Sequence, residues 1–214
     1  MWRLILALAM ILPALAAPVQ AKQERGANRE AGADRSTKDL AGPTLYPGNG
    51  SYFLLVEDFT GSNNGVDWPE ARVAAAKRQF KGRQGRLAVI DSPELYEWIL
   101  ATFDLGQYAH EGRTWIGLRY WCRFRQLTLA NGEVYPDTGF TAWDRPWSRP
   151  GGQTCTSNAK LPYMSVYIEG TTGRWRATGY RKRFPFYLVE FPAPEGSTEK
   201  KASSERQDTG NGAH

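Results

Sequence analysis

The sequence contains few of the residues on which metal and redox chemistry depend. Its 214 residues include two cysteines and two histidines, with no CxxC or HExxH pattern. Protein zinc sites are built from clusters of cysteine and histidine at characteristic spacings. The sequence therefore excludes a zinc site or CxxC redox centre of the usual kind, and we expect no cofactor.

Catalytic motifs are also missing. His110 is the only histidine apart from the C-terminal His214, and it lies in AHEGRT, a predicted surface loop. Neither a GxSxG motif nor a paired nucleophile and base is evident. We therefore expect the protein not to be an enzyme.

Only one long apolar run is present, and it lies at the N-terminus. LILALAMILPALAA follows Arg3 and precedes a small-residue cleavage site at residues 19–21, as in secretory signal peptides. A retained membrane anchor is the alternative, but the run is shorter than the ~20 residues that span a bilayer and Pro13 interrupts it. We predict a signal peptide at residues 1–21, a secreted or periplasmic protein, and no stable membrane insertion.

Two further segments have few large apolar side chains. Residues 22–43 contain Leu40 as their one large aliphatic residue, and residues 193–214 contain no aromatic residue. Such segments bury too little surface to offset the entropy lost on ordering. We predict a disordered linker at 22–43, one folded domain at 44–192, and a disordered tail at 193–214.

The charge balance is modestly basic. The chain has 27 Lys and Arg against 22 Asp and Glu, a formal net charge of +5. This excess favours acidic partners, with solubility as the alternative explanation. It is too small to indicate a nucleic-acid partner, which an exported protein seldom meets.

The two cysteines are expected to form a bond. Cys122 and Cys155 would meet an oxidising environment after export, where a pair of thiols tends to be joined. We predict a Cys122–Cys155 disulfide, which would restrain the loop between the two residues. Two free buried thiols are the alternative.

The secondary-structure signals change along the chain. Asp67 and Ser92 are N-cap residues ahead of two helical segments, the second with apolar residues at helical spacing. After Gly112 short apolar segments alternate with turn residues, as in antiparallel sheets. The predicted fold class is α+β.

Six motifs in a particular order resemble one known family. They are WPEA at 68–71, GRLAVIDSPELYEWI at 85–99, WIGL at 115–118, FTAW at 140–143, GRW at 173–175 and YLVE at 187–190. This series resembles the C-type lectin-like domain over about residues 51–191. The resemblance implies a C-type lectin-like fold: termini that meet in one sheet, two helices flanking it, and a long loop region that presents the ligand surface.

The usual disulfides of this family are missing. By the resemblance, Ala75 and Val189 stand where the family has one cysteine pair, and positions near Met164 and Tyr180 would form another. A small and a branched apolar side chain can fill the volume of a disulfide. We therefore expect Ala75 and Val189 to touch.

The resemblance also locates calcium ligands, and these are altered. Calcium-dependent members use a Glu-Pro-Asn or Gln-Pro-Asp triplet in the long loop and an Asn-Asp pair after the GxW motif. Here Pro146 has Arg145 and Trp147 as neighbours, and Arg176 follows the GRW motif. A guanidinium group repels a divalent cation and fills its volume. We expect no metal site.

The loop with the altered residues carries a repeated phrase. WDRPWSRPGG at 143–152, which we call the tryptophan loop, contains Trp-x-Arg-Pro twice. Indole rings stack on sugars or on protein surfaces, and guanidinium groups pair with carboxylate or phosphate. Family position assigns Trp143 and Trp175 to the core. The candidate ligand contacts are Trp147, Arg145, Arg149, Arg176 and Asp144.

Two other basic clusters stand outside this loop. In RYWCRFR at 119–125, strand alternation would put three arginines and Trp121 on one face, suited to an anionic chain. The alternative is the solvated side of a sheet. RKR at 181–183 is a short cluster in a predicted loop.

The sequence as a whole predicts an exported, non-enzymatic binding module. Its first candidate function is calcium-independent recognition of a glycan, including an anionic one. Two alternatives stay open: a protein–protein interaction or adhesion module whose partner is a protein of the cell envelope or extracellular space, and a domain whose loop only stabilises itself.

Overall fold

A computed structural model describes residues 36–122, 124–144 and 163–194. The described helices are α1 (Trp68–Ala76) and α2 (Pro93–Phe103), with 3-10 turns at Leu105–Gln107 and His110–Gly112. The described strands are β1 (Thr37–Leu45), β2 (Tyr52–Asp58), β3 (Val66–Asp67), β4 (Gln79–Phe80), β5 (Arg83–Gln84), β6 (Arg86–Leu87), β7 (Thr114–Trp121), β8 (Gln126–Leu129), β9 (Met164–Ile168), β10 (Trp175–Gly179), β11 (Arg183–Phe184) and β12 (Phe186–Phe191).

One sheet forms the framework of the domain. Its strands run in the order β1-β2-β12-β7-β9-β10, with β6 paired to β12 and β8 paired to β7. The pairings among β7, β8, β9 and β10 are antiparallel, as predicted for the second half. β12 pairs antiparallel with β2 of the first half and parallel with β7 of the second half.

Both helices begin where the sequence predicts. The Asp67 side chain accepts from the backbone N–H of Glu70, and the Glu70 side chain accepts from the backbone N–H of Asp67. This capping box satisfies two amide groups that the helix leaves without partners. Ser92 caps α2 by accepting from the backbone N–H of Leu95 at 3.2 Å.

Hydrophobic residues fill both faces of the sheet. On one face α1 packs against the sheet, in a cluster that includes Trp68, Ala71, Trp115 and Tyr187. On the other face the core cluster includes Leu95, Ile99 and Phe103 of α2 with Ile116 and Val166 of the sheet. Trp115 and Ile116 are consecutive residues of β7 and enter opposite clusters, because neighbouring side chains of a strand point to opposite faces.

The linker predicted at 22–43 is wrong at its C-terminal end. Residues 37–43 belong to β1, which pairs antiparallel with β2. The strand is stabilised by main-chain hydrogen bonds to β2, so its low content of apolar side chains does not prevent it from ordering. The rest of the predicted linker and the signal peptide at 1–21 lie outside the described residues.

The C-terminal boundary also shifts slightly. Ala193 and Pro194 are described, and the backbone N–H of Ala193 donates to Oγ of Ser51 at 3.2 Å. The remainder of the predicted tail lies outside the described residues.

The topology has the features that the C-type lectin-like resemblance implies. β2 and β12, near the two ends of the domain, are adjacent strands from Tyr52↔Phe191 to Glu57↔Phe186. α1 and α2 flank the sheet on opposite faces. The predicted α+β class is confirmed, and the strand order and the placement of the two helices agree with what the resemblance implies.

The positions at which the resemblance would place cysteine pairs hold packed side chains. Ala75 and Val189 are both 0% exposed and belong to the same cluster. Met164 pairs with Gly179 across β9 and β10, next to Tyr180. The Tyr180 ring lies 5.4 Å from that of Tyr163. Apolar and aromatic contacts therefore occupy these two regions of the fold.

Candidate functional site

Two tryptophans position the start of the tryptophan loop. Trp143 and Trp175 form a parallel bridge, and their rings meet edge to face at 5.6 Å. Trp175 is 0% exposed and Trp143 packs against the same core cluster, as predicted for both residues. The backbone N–H of Asp144 donates to the carbonyl of Trp175 at 3.1 Å. Asp144 and Arg176, each one residue beyond a tryptophan, are thereby placed side by side.

Arg176 connects two carboxylates. Its Nη2 lies 2.9 Å from Oδ2 of Asp144, and its Nη1 lies 2.9 Å from Oε2 of Glu169. Arg113 contacts the other oxygen of Glu169 through Nε at 3.1 Å, and its Nη2 pairs with Glu111. We call these five residues the ionic cluster.

Glu169 is the buried centre of the ionic cluster. Its side chain is 2% exposed, whereas that of Arg176 is 41% exposed. Burial raises the pKa of Glu169, and its hydrogen bond with Glu111 acts in the same direction, while Arg113 and Arg176 oppose both effects. The same hydrogen bond, together with the charge of Arg113, lowers the pKa of Glu111. The two arginines therefore offset part of the cost of burying this carboxylate.

In the ionic cluster a positively charged side chain, that of Arg176, lies among carboxylates. Calcium needs six to eight oxygen ligands around an open volume. Here the guanidinium group of Arg176 lies between the carboxylates of Asp144 and Glu169. Within the described ranges no group of three or more His, Cys, Asp or Glu residues is arranged to hold a metal ion.

The structure brings together two of the five predicted ligand contacts. Asp144 and Arg176 are 32 positions apart in the sequence and form an ion pair. The other three, Trp147, Arg145 and Arg149, lie in the tryptophan loop outside the described residues. Cys122 follows β7, and its predicted partner Cys155 also lies outside the described residues, so the Cys122–Cys155 disulfide stays a prediction.

Sequence reasoning missed the other half of the ionic cluster. Glu169 follows β9 directly and Arg113 precedes β7, and the two are 56 positions apart. The register of β7 and β9, with Thr114 opposite Ile168, brings them together. The only signal in the sequence was that Glu169 is a charged residue at the end of an apolar segment. Many solvent-exposed residues occupy such positions, so this signal does not indicate a buried ion pair.

The predicted row of arginines along RYWCRFR is only partly present. The strand ends at Trp121, and Arg125 lies in the following turn with a positive φ of 51°. Arg119 keeps the predicted face, where its guanidinium carbon lies 5.2–5.5 Å from the ring centroids of Trp68, Trp121 and Tyr163. The sequence analysis assumed that the strand continues to Arg125, whereas β7 ends at Trp121 and the chain then turns towards β8.

No helix among the described residues is long and apolar enough to cross a membrane.

Comparison with known proteins identifies similar folds and no close relative. No protein-family model matches the sequence, and no curated protein matches it. Human lithostathine is 15% identical and has a TM-score of 0.46, covering 70% of this chain and 96% of its own. The mouse scavenger receptor C-type lectin carbohydrate-recognition domain is 13% identical, with a TM-score of 0.45 and coverage of 71% and 95%.

A third solved structure comes from cow. It is the C-type carbohydrate-recognition domain of CD23 in the presence of a GlcNAc2Man3 oligosaccharide, 18% identical with a TM-score of 0.45, covering 73% of this chain and 99% of its own.

Proposed function

We propose that this protein is an exported, non-enzymatic module that recognises a glycan without calcium. The observation that supports it is the position of Arg176, whose guanidinium group contacts the carboxylates of Asp144 and Glu169. A calcium-free site must use side chains to hold a sugar, by aromatic stacking and charge-assisted hydrogen bonds.

The ionic cluster also gives the tryptophan loop a defined starting point. Asp144 is held by Arg176 through its side chain and by Trp175 through its backbone. Trp147 follows three residues later. A fixed attachment point lowers the entropic cost of ligand binding by the residues that follow it. Trp147, Arg145 and Arg149 are the contact residues of this proposal, and the partner is a glycan at the cell envelope or outside the cell.

A glycan array probed with and without EDTA tests the proposal. We expect bound glycans that persist with chelator and are lost in Trp147→Ala. Phe124→Ala is the matched control, because Phe124 is an aromatic residue with 65% exposure outside the tryptophan loop. This variant should retain binding, and both variants should keep the circular dichroism spectrum of the wild type.

Three results would contradict the proposal in different ways. Loss of binding in EDTA would show that a metal is required. A blank array with a captured envelope or extracellular protein would favour the protein-binding alternative. A blank array with lower stability in Trp147→Ala, and no partner, would indicate that the loop only stabilises the domain.

A further inference from the structure

A basic pocket shares Arg113 with the ionic cluster, and among the described residues none of the predicted ligand contacts lines it. Its volume is about 350 Å³, within the range of small-molecule binding sites. None of the described residues that line it is acidic. His110 lines it together with four cationic side chains, which are Arg113, Arg181, Lys182 and Arg183.

Two of these cations, Arg183 and Arg113, are held in place by carboxylates outside the pocket. Arg183 makes a two-pronged contact with Glu70, with Nη1 2.7 Å from Oε2 and Nη2 2.9 Å from Oε1, and its Nη1 also donates to the carbonyl of Gly65 at 3.1 Å. Arg113 is held by Glu169. Neither carboxylate lines the pocket. The two guanidinium groups are therefore oriented before any ligand arrives, which lowers the entropic cost of binding.

The other two cations are exposed at the rim. Arg181 and Lys182 lie in the turn between β10 and β11, which is closed by a hydrogen bond from the backbone N–H of Lys182 to the carbonyl of Gly179 at 2.9 Å. The guanidinium carbon of Arg181 lies 5.5 Å from the centre of the Tyr180 ring. Within the described ranges neither residue forms an ion pair. Their charges are thus available to a ligand.

Carboxylates already compensate the charges of Arg113 and Arg183, but the charges of Arg181 and Lys182 at the rim have no such partner among the described residues, so an anion that enters the pocket would be attracted to them. Guanidinium groups donate in pairs, and a tetrahedral oxyanion accepts such pairs from several directions at once, whereas the two oxygens of a carboxylate lie in one plane. The volume also exceeds that of an inorganic oxyanion and leaves room for a sugar unit that carries it.

We propose that this pocket binds a sulfate or phosphate monoester group on a sugar-sized ligand. Arg113 and Arg183 bind the group from the pocket wall, and Arg181 and Lys182 close over it from the rim. The pocket uses no residue of the tryptophan loop, so this proposal stands or fails independently of the function proposed above.

Isothermal titration calorimetry with sucrose octasulfate tests the pocket, with sucrose as the neutral counterpart. The double variant Arg181→Ala/Lys182→Ala removes both rim charges. The matched control is Arg72→Ala/Lys77→Ala, which removes one arginine and one lysine from exposed positions of α1 and its C-terminus. We expect the wild type to bind the sulfated sugar only, the rim variant to bind it about tenfold or more weakly, and the control to change by less than about twofold.

The charge-conserving variant Arg181→Lys tests whether the charge at this position is responsible for binding, and it should keep most of the wild-type affinity. The rim variant should also unfold at the same temperature as the wild type, which shows that it is folded. Glucose 6-sulfate and glucose 6-phosphate, titrated separately, distinguish the two esters, and tighter binding of either supports the pocket. The proposal is overturned if the wild type binds none of these probes, or if both double variants lose affinity equally, since net charge alone would then explain binding.

Discussion

Nη1 of Arg176 lies 2.9 Å from Oε2 of Glu169, across the turn that joins β9 to β10. The carboxylate is 2% exposed, and the arginine follows the buried Trp175 directly. A buried negative charge is stable only with close compensation. The contact therefore explains how a basic residue can be accommodated directly after a buried tryptophan at this position.

Removal of Arg176 should destabilise the domain. In Arg176→Ala, Glu169 keeps only Arg113 as a cationic partner and Asp144 loses its side-chain partner. We expect the free energy of unfolding, measured with urea, to fall by about 1–2 kcal/mol. The effect is modest because Arg176 is partly exposed to solvent. Arg174→Ala is the control, because Arg174 is exposed and forms no ion pair in the described part of the chain. Equal losses in the two variants would refute a role for this contact.

The pair of Glu70 and Arg183 should give the stability a component that depends on pH. Burial raises the pKa of Glu70, but hydrogen bonds from Arg183 and from the backbone N–H of Asp67, with the charge of Arg183, bring it below its ordinary 4.5. A carboxyl group whose pKa is lower in the folded state adds stability above its ordinary pKa, and that stability is lost as the pH falls below 4.5 through the folded-state pKa.

Unfolding of Glu70→Gln at several pH values checks this expectation. At pH 7 the variant should be less stable than the wild type by about 1 kcal/mol, and the difference should shrink below pH 4. Glu97→Gln is a suitable control, since Glu97 is an exposed residue of α2. A difference that stays constant from pH 7 to pH 3 would show that the Glu70 charge is unimportant.

The buried carboxylate of Glu190 should be important for stability at neutral pH. Its oxygens accept from Nε and Nη2 of Arg86 at 3.0 and 3.1 Å, from the backbone N–H of Val89 at 3.2 Å, and from Oγ of Ser51 at 3.4 Å. Glu190→Gln preserves the shape and replaces an accepting oxygen by a donating amide, which leaves buried donors unpaired. We expect a loss of about 2–3 kcal/mol in urea unfolding, and a loss below 0.5 kcal/mol would contradict this assignment.

The predicted Cys122–Cys155 disulfide can be tested without mutation. Mass spectrometry after alkylation should find no modified cysteine until a reductant is added. Reduction should lower the free energy of unfolding by about 2–4 kcal/mol, because a bond across this loop restricts the unfolded chain. Two alkylated cysteines in the untreated protein would instead establish free thiols.

Signals from neighbouring residues were sufficient to predict where the two helices lie. Asp67 and Ser92 act as N-caps through contacts within three residues, and the spacing of Leu95, Ile99 and Phe103 places them on one buried face. β1 was missed for the opposite reason. Its order depends on pairing with β2 rather than on its own side chains, and no composition rule reveals a partner strand.

The candidate site divides in the same way. The sequence placed Asp144 and Arg176 together as candidate contacts through the resemblance, and the structure brings them together as partners of each other. Glu169 and Arg113 were not foreseen, and neither was the cavity between the RKR turn and Arg113. These contacts join distant segments, so they depend on strand register.

The sequence by itself determined the α+β class, the two helices with their caps and the core tryptophans, because each is expressed in neighbouring residues or in an ordered series of motifs. Only the tertiary structure decided that Arg176 neutralises a buried carboxylate and that four cations surround one pocket. The physical reason is that electrostatic energy depends on distances in space, and the pairing of β7, β9, β10 and β12 brings these charges together from distant parts of the chain.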